Sequence, residues 1–429
     1  AVARRGEGPP ARGGRSGLRC CRRRGGGKDE ALLGGAHKAA PAVPSPRGRG
    51  QGGAACRECP EEDLRWVDEE TERAGIEALR ARLAADLRGC PADMVHDLSL
   101  LRFLRGHGHD VDVAARYMSK ALKYRRELAT SASLGAFRAS VASATAIDMS
   151  ALPHGEVLDV LPLRSLRGAS RQGLPIMLTA PRLMDFEAFA AVRKPRLDGF
   201  LKAHLEQRAV VLHNLSLQQR RMVKFVELRD LSQTSPALLL RSGRPVFKRL
   251  KTFFSILQDC YPELVHQVLF FNAPAGAARL VAMLSSILNA RMMAKIRLLP
   301  VAQAYTEMTW RLNAMAISSW MEQVSKAVDL NTMRLARGTE EYAARWLAKG
   351  QTLRWTVTVR EKDVRFQYVF IEENCGAREL EPLRMEETAV VAGAPLRGSL
   401  VAPGGGVFWA RVSNAFSWLE SKQCALLLE

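Results

Sequence analysis

The sequence predicts three structural regions in succession: a small helical bundle, an α/β domain with a mostly parallel sheet, and an all-β end. Three patterns in the 429 residues lead to this prediction. Apolar residues recur at helical spacing between residues 64 and 124. Short β-like runs alternate with helical stretches from about residue 150, and the apolar period changes to two from Leu353. Alternation of strands and helices is typical of an α/β layer.

The composition is that of a globular chain with one strongly basic end. Apolar residues make up 47% and charged residues 25% of the chain, which is ordinary for a protein with a buried core. Residues 1–57 hold 13 Lys or Arg and 3 Asp or Glu, which is +10 of the formal net charge of +19. We expect residues 1–60, rich in Gly, Ala, Arg and Pro, to be a disordered basic tail. Its charge favours anionic membrane surfaces, and no specific nucleic-acid partner is expected.

Three observations bear on the compartment. No apolar run approaches the ~18 residues that span a bilayer. The basic N-terminus lacks the apolar stretch of a secretory signal. The eight cysteines are too few and too scattered for a disulfide framework. The sequence therefore predicts a cytoplasmic protein that associates with membranes peripherally.

The helical bundle is predicted for residues 61–130. Its first helix ends at the Gly89-Cys-Pro break, a second begins near Asp93, and a third runs from Val113 to Tyr124. Each of these helices has an apolar stripe on one side. We therefore expect them to pack against one another as a small helical bundle.

The α/β domain is predicted for residues 145–345. Strands are expected at residues 157–161, 176–179, 223–228 and 268–271. Between the last two, Phe253, Phe254 and Leu257 lie on the apolar face of a helix that should cover the sheet. Residues 301–350 are predicted to be helical.

The all-β end is predicted for residues 350–429. Apolar and polar residues alternate from Leu353 onwards, and turn-rich segments separate the runs. We expect an antiparallel β-sandwich with Trp355, Phe366, Tyr368 and Trp409 mostly inside.

Several short motifs suggest chemistry that their surroundings do not support. Gly25-Gly-Gly-Lys28 lacks the first Gly and the hydroxyl residue of a phosphate-binding loop, and Cys56-x-x-Cys59 is half of a zinc site. His107-Gly-His109 favours loop histidines over a metal site. Glu263 and His266 favour a helix-end charge pair over an acid–base pair. The chain has no Gly-x-Ser-x-Gly or His-Glu-x-x-His motif. We expect no enzyme, no catalytic residue, no metal, and no cofactor beyond a bound lipid.

Four separated motifs resemble the CRAL-TRIO family of lipid carriers. They are Leu100-Leu-Arg-Phe-Leu-Arg105 with its following Tyr-Arg-Arg, Gln258-Asp-Cys-Tyr-Pro-Glu263, Phe271-Asn-Ala-Pro274 and Lys295-Ile296. The resemblance covers about residues 90–300. The end of the chain, with residues 366–370 and 412–422, resembles the Golgi-dynamics (GOLD) domain of supernatant-protein-factor-like and patellin-like members.

The resemblance implies a deep apolar pocket floored by the sheet and closed by a mobile helix at about residues 275–289. The side chains expected to bind the lipid are Phe253, Phe254, Leu257, Tyr261, Phe271, Leu284 and Leu288. In phosphoinositide-binding members, the Glu of Tyr-Pro-Glu and a later Lys serve the headgroup, which correspond to Glu263 and Lys295. The chain departs from that pattern at Met292, where the family has a hydroxyl residue, and at His107-Gly108, where it has a basic pair.

These patterns lead to a functional prediction. The protein should bind a hydrophobic lipid, of phospholipid, phosphoinositide or isoprenoid type, and transfer or present it at membranes without catalysis. On opening, the closing helix would lay apolar side chains into the bilayer interface: Leu280, Val281, Leu284, Ile287 and Leu288. A helix that stays buried is the other interpretation. The alternative function is a membrane-trafficking adaptor whose lipid domain is structural and whose β-sandwich recruits a protein partner.

Overall fold

The computed structural model describes residues 64–65, 70–231, 234, 246, 249, 251–273, 277–300, 307–324, 330–372, 383–384, 387–417 and 420–429. The predicted basic tail, residues 1–60, lies outside this set, as do residues 275 and 276 at the start of the predicted closing helix. In the part of the chain that the structure describes, no helix has the length and apolar character needed to cross a membrane.

Helices dominate residues 70–140. They are α1 (Glu70–Arg82), α2 (Ala84–Leu87), α3 (Ala92–Val95), α4 (Asp97–Gly106), α5 (Val111–Thr130) and α6 (Ala132–Ser140). The Asp110 side chain caps α5 by accepting a hydrogen bond from the Val113 backbone N–H at 2.9 Å. The apolar stripes of α1, α4 and α5 bury Leu79, Leu101 and Met118, as the helical spacing predicted.

Arg102 joins α4 to the following domain. Its buried guanidinium donates to the backbone carbonyls of Glu263 at 2.6 Å and Val223 at 2.8 Å. Arg105, one turn later, forms a bidentate pair with Glu72 of α1 at 2.7 and 2.9 Å. The two arginines of the Leu-Arg-Phe-Leu-Arg motif therefore hold the N-terminal helices together and to the sheet.

A five-stranded sheet forms the centre of the α/β region, in the order β1-β2-β3-β4-β5. The strands are β1 (Leu163–Ser165), β2 (Ile176–Thr179), β3 (Phe225–Asp230), β4 (Val265–Ala273) and β5 (Ile296–Pro300). β1 is antiparallel to β2, and the other neighbours are parallel. The covering helices are α7 (Phe186–Ala191), α8 (Lys194–Gln219), α9 (residues 251–260), α10 (Ala277–Leu284), α11 (Ala290–Ala294), α12 (residues 307–311) and α13 (Ala314–Val324).

The strand predicted at residues 157–161 is wrong. The structure has a 3₁₀ helix at Gly155–Asp159 instead. Val157 and Leu161 are both buried, and the Leu161 N–H donates to the Val157 carbonyl at 2.8 Å. Two apolar residues four apart pack on one side of a helical turn, and the short run did not separate this pattern from a strand.

Two antiparallel sheets occupy the C-terminal region. Their strands are β6 (Met333–Leu335), β7 (Glu340–Leu347), β8 (Thr352–Val359), β9 (Asp363–Glu372), β10 (Leu383–Arg384), β11 (Thr388–Val391), β12 (Leu396–Val401), β13 (Gly406–Ser413) and β14 (Lys422–Leu428). One sheet has the order β10-β9-β13-β7, with β11 also on β9, and the other has the order β12-β8-β14-β6. Because β6 pairs with β14 and β7 pairs with β13, the helix predicted throughout residues 301–350 is wrong for residues 333–347.

The C-terminal sheets share a core of their own. Trp355 lies 5.5 Å from Phe408 and 4.8 Å from Tyr368 between ring centroids, and Phe366 is fully buried beside them. Trp409 is also fully buried, but on the other face of its strand. Neighbouring residues of a strand point to opposite faces, so Phe408 packs between the two sheets while Trp409 packs towards the α/β region.

The β7-β13 sheet therefore has two buried faces. On its outer face, Trp409 meets Trp320 of α13 at 5.5 Å, and Tyr342 meets Phe271 of β4 at 5.6 Å. The Tyr342 hydroxyl also donates to the Asn272 side-chain oxygen at 3.2 Å. These side chains belong to the main apolar core of the α/β region. Since burying a large aromatic ring stabilises a fold strongly, the two regions are held together by a shared core.

Candidate functional site

A cavity lies between the five-stranded sheet and the helices that cover one of its faces. Its walls come from β2, β3 and β4, from α8 and α9, and from the segment after β4. Apolar side chains form most of the lining: Leu161, Leu163, Met177, Pro181, Met184, Phe186, Leu201, Leu231, Val246, Phe253, Phe254, Leu257, Val265, Val268, Phe270, Leu284, Leu288, Met292 and Ile296. A cavity with such walls suits a hydrophobic ligand.

Strand alternation determines which residues line the cavity. Val268 and Phe270 of β4 face it, whereas Leu269 and Phe271 face the main core on the other side of the sheet. The same alternation puts Glu227 on the cavity side of β3 and the buried Leu228 on the core side.

The cavity is small in the present conformation. Its volume is about 210 Å³. Ligand pockets usually measure about 300–1,000 Å³. A complete lipid therefore requires the walls to move apart.

The structure brings together most of the side chains that we expected to bind lipid. Phe253, Phe254 and Leu257 of α9 line the cavity from one side, and Leu284 and Leu288 line it from another. α9 supplies three of them because its apolar face turns towards the sheet, as the sequence predicted.

Tyr261 and Phe271 lie outside the cavity lining, which corrects the sequence-based assignment of these two. The Tyr261 hydroxyl donates to the buried Glu206 carboxylate at 2.5 Å, and Glu206 also pairs with Arg125 at 2.8 Å. Phe271 packs edge-on against Trp320 at 4.7 Å on the opposite face of the sheet. The position of Phe271 could not be deduced without knowing which face of β4 meets the cavity.

Residues 277–289, called the gate segment below, cover one side of the cavity. α10 forms the first part, and a non-regular turn follows it. Leu284 is buried in a small apolar cluster with Phe270, Ala277 and Ile296, separate from the main core. Ala282, Ser285 and Ser286 are exposed on the other side. The segment is thus amphipathic and is held by a limited set of contacts.

Gln258 of α9 fastens the end of the gate segment. Its side-chain N–H donates to the Ile287 carbonyl at 2.9 Å, and its side-chain oxygen accepts from the Asn289 N–H at 2.6 Å. Asn289 in turn caps α11 by accepting from the Met292 N–H at 2.9 Å. One amide side chain therefore satisfies two backbone groups where the segment turns.

Glu263 lies at the centre of a positively charged node beside the cavity. Its carboxylate accepts from Lys224 at 2.5 Å, from Arg291 at 2.6 Å and from Lys295 at 3.2 Å. Lys224 and Glu263 are buried, whereas the Arg291 side chain is 37% exposed. Three cations around one carboxylate leave two positive charges in excess. The small pocket beside the node and the cavity are adjacent, because both are lined by Leu257, Val265 and Met292.

The node shifts the pKa values of its members. Burial raises the pKa of Glu263, but the attraction of Lys224, Lys295 and Arg291 outweighs burial and holds that pKa far below its usual range. Burial and the two neighbouring cations lower the pKa of Lys295. Glu263 is therefore ionised at neutral pH and fully engaged by protein groups. A lipid phosphate would therefore contact the partly exposed Arg291, and not the buried Glu263.

Sequence analysis missed a polar group on the cavity wall. Thr179, His204, Arg208, Glu227 and Arg229 line the cavity together with the apolar residues. The signal was present in the sequence, because Glu227 and Arg229 stand at alternate positions of β3, separated by the apolar Leu228. The alternation along β3 shows that Glu227 and Arg229 lie on the same face of the strand. It does not show that this face meets the cavity.

Comparisons with known proteins agree with this geometry. Residues 164–313 match the family model of the CRAL/TRIO domain. The chain therefore contains a CRAL/TRIO domain, which confirms that part of the resemblance. Assignment of the C-terminal sheets to the Golgi-dynamics type stays a prediction.

Two curated relatives come from Arabidopsis thaliana. Patellin-4 is 22% identical over 235 residues, which are 55% of this chain and 37% of patellin-4. The phosphatidylinositol/phosphatidylcholine transfer protein SFH13 is 25% identical over 245 residues, which are 56% of this chain and 36% of SFH13. The matches thus span little more than a third of either relative. Among solved structures, the crystal structure of Sfh5 has a TM-score of 0.36 and 13% identity, over 54% of this chain and 81% of that one.

Proposed function

We propose that this protein binds a hydrophobic lipid in the cavity and transfers or presents it at membrane surfaces without catalysis. The supporting observation is the cavity itself, which has apolar walls on three strands and two helices and is covered by an amphipathic segment. Burying each CH₂ of a lipid tail is worth about 0.8 kcal/mol, so escape into water is slow. A segment that opens against a bilayer avoids that exposure.

The charged node would then assist at the membrane. Arg291 is partly exposed, and Arg279 and Arg297 are exposed on the same stretch of chain. A basic side chain near an anionic surface contributes about 1 kcal/mol. We infer that these groups meet lipid phosphates, with Lys295 and Glu263 fixing Arg291 behind them. The relative named as a phosphatidylinositol/phosphatidylcholine transfer protein is consistent with a phospholipid ligand.

We also propose that the C-terminal sheets form a β-sandwich of the Golgi-dynamics type that docks a protein partner. The role would be recruitment, added to lipid binding. In the adaptor alternative, the β-sandwich still docks a protein partner, but the lipid domain is structural and carries no ligand.

Native mass spectrometry of the purified full chain tests the proposal, together with lipid transfer between labelled and unlabelled vesicles. A lipid bound at close to one molecule per chain, with transfer above the protein-free rate, is expected. A chain that carries no lipid and transfers none would leave only the adaptor function.

Val268→Trp is expected to weaken lipid binding about tenfold or more. Val268 is half-buried on the cavity face of β4, and the larger ring would occupy space that the ligand needs. Overpacking costs about 1–3 kcal/mol, and 1.4 kcal/mol is a factor of about ten. Val401→Trp is the matched control, because Val401 is 60% exposed in the C-terminal sheets. Equal lipid retention by both variants would contradict the location of the site.

A further inference from the structure

The titratable groups on the cavity wall lie close together, deep in the apolar surface. His204 and Arg208 come from consecutive turns of α8, and Glu227 and Arg229 come from the cavity face of β3. Among the described residues that line the cavity, these four are the titratable ones. His204, Arg208 and Glu227 are almost fully buried, whereas the Arg229 side chain is 28% exposed.

The two arginines share one carboxylate. Arg208 forms an ion pair with Glu227 through one Oε atom, and Arg229 donates to the other at 2.8 Å. Arg229 also donates to the Thr179 hydroxyl. Burial raises the pKa of Glu227, but the two guanidinium groups outweigh burial and lower it below its usual range. The group of four therefore carries one positive charge in excess at neutral pH.

Two buried nitrogens in this group have no hydrogen-bond partner among the residues that the structure describes. They are Nε of Arg208 and Nδ1 of His204. Burial, followed by the nearby Arg208 charge, lowers the pKa of His204 to about 3, so its ring is neutral at pH 7. Buried polar groups in folded proteins are normally paired. The Nε–H group of Arg208 is therefore a buried donor without an acceptor, beside a neutral imidazole whose Nδ1 is also unpaired.

We propose that these residues bind the carboxylate of a single-chain amphiphile, whose tail runs along the apolar walls towards the gate segment. The inference rests on the proposed lipid-binding function. A carboxylate supplies the missing negative charge and the missing acceptor atoms. Guanidinium groups recognise it with paired, charge-assisted hydrogen bonds.

Binding of oleic acid and oleyl alcohol to the full chain at pH 8 tests the inference, because the two probes share a chain and differ in charge. An apolar pocket would prefer the less water-soluble alcohol, since an unpaired buried charge is unfavourable. The charged group should reverse that order. We expect oleic acid to bind about ten- to hundredfold more tightly, the usual range for hydrogen bonds to a charged group.

Arg229→Gln and Glu227→Gln are expected to shift the preference for oleic acid over oleyl alcohol in opposite directions. In Arg229→Gln the excess charge is lost while Arg208 still pairs with Glu227, so the preference for the acid should fall to about equality. In Glu227→Gln both guanidinium groups are released, so the preference should increase. Retained binding of oleyl alcohol shows that each variant is folded and has its cavity.

Three results would overturn the inference, and they are distinguishable. If oleyl alcohol binds as tightly as oleic acid to the wild-type chain, the carboxylate site is refuted while lipid binding stands. The same holds if Arg229→Gln keeps the preference for the acid. If neither probe binds, the single-chain inference fails, and the native mass spectrometry of the wild-type chain decides the proposed lipid-binding function separately.

Discussion

Glu263→Gln is expected to destabilise the protein by about 3–5 kcal/mol at neutral pH, the usual cost of removing one partner of a buried ion pair. The variant leaves Lys224 buried beside a neutral amide that cannot compensate its charge, with Arg291 and Lys295 still close to it. Urea unfolding followed by circular dichroism would measure the loss.

The loss should depend on pH with a defined sign. The folded-state pKa of Glu263 lies below its ordinary value of 4.5, so its contribution to stability is complete above about pH 4.5. It is lost as the pH falls towards the folded-state pKa. The difference between wild type and variant should therefore shrink below about pH 4.5. Glu322→Gln is the control, because Glu322 pairs with Arg167 at the surface and should contribute less than about 1 kcal/mol. Equal small losses from both variants would refute the buried node.

Ile287→Asp combined with Leu288→Asp is expected to reduce vesicle-to-vesicle transfer about a hundredfold or more. Both side chains are half-buried in the gate segment, so the closed fold should tolerate the change better than it would at the buried Leu284. Each large aliphatic side chain gains about 1.5–3 kcal/mol on complete burial. Two such side chains inserted into a bilayer interface would therefore supply most of the free energy of membrane binding by this segment.

Ser285→Asp combined with Ser286→Asp is the matched control. It adds the same two charges to exposed neighbouring positions, so it measures repulsion from anionic vesicles alone. We expect only a small change in transfer for this pair. If the two double variants transfer equally, or if the Ile287 and Leu288 variant unfolds, the gate function of this segment should be abandoned.

Sequence periodicity was sufficient where an element is long and packs on one side. The α4 and α5 helices and the β8 and β9 strands lie where the apolar patterns predicted them. The pattern was insufficient where elements are short or buried on both faces. Residues 340–347 read as helix because β7 is buried at its start on both sides, which removes the alternation that identifies a strand.

The candidate site was predictable in its apolar part and not in its polar part. Phe253 is an apolar residue on an amphipathic helix, so its direction follows from the pattern. Leu284 was assigned through the resemblance of its segment to the mobile helix of the family. Glu227 and Arg229 stand at alternate positions of β3, so the sequence predicts that they share one face of the strand. It does not predict which part of the protein packs against that face. Only the tertiary arrangement brings Arg208 of α8 against them.

The contact between Trp320 and Trp409 has a practical consequence for experiments on parts of this chain. A truncation after α13 would leave Trp320 and Phe271 facing water, and an isolated C-terminal fragment would expose Trp409 and Tyr342. Large exposed apolar patches promote aggregation. Either half alone would therefore be prone to aggregate. Protein–partner and lipid experiments are best made on one polypeptide, with point substitutions in place of deletions.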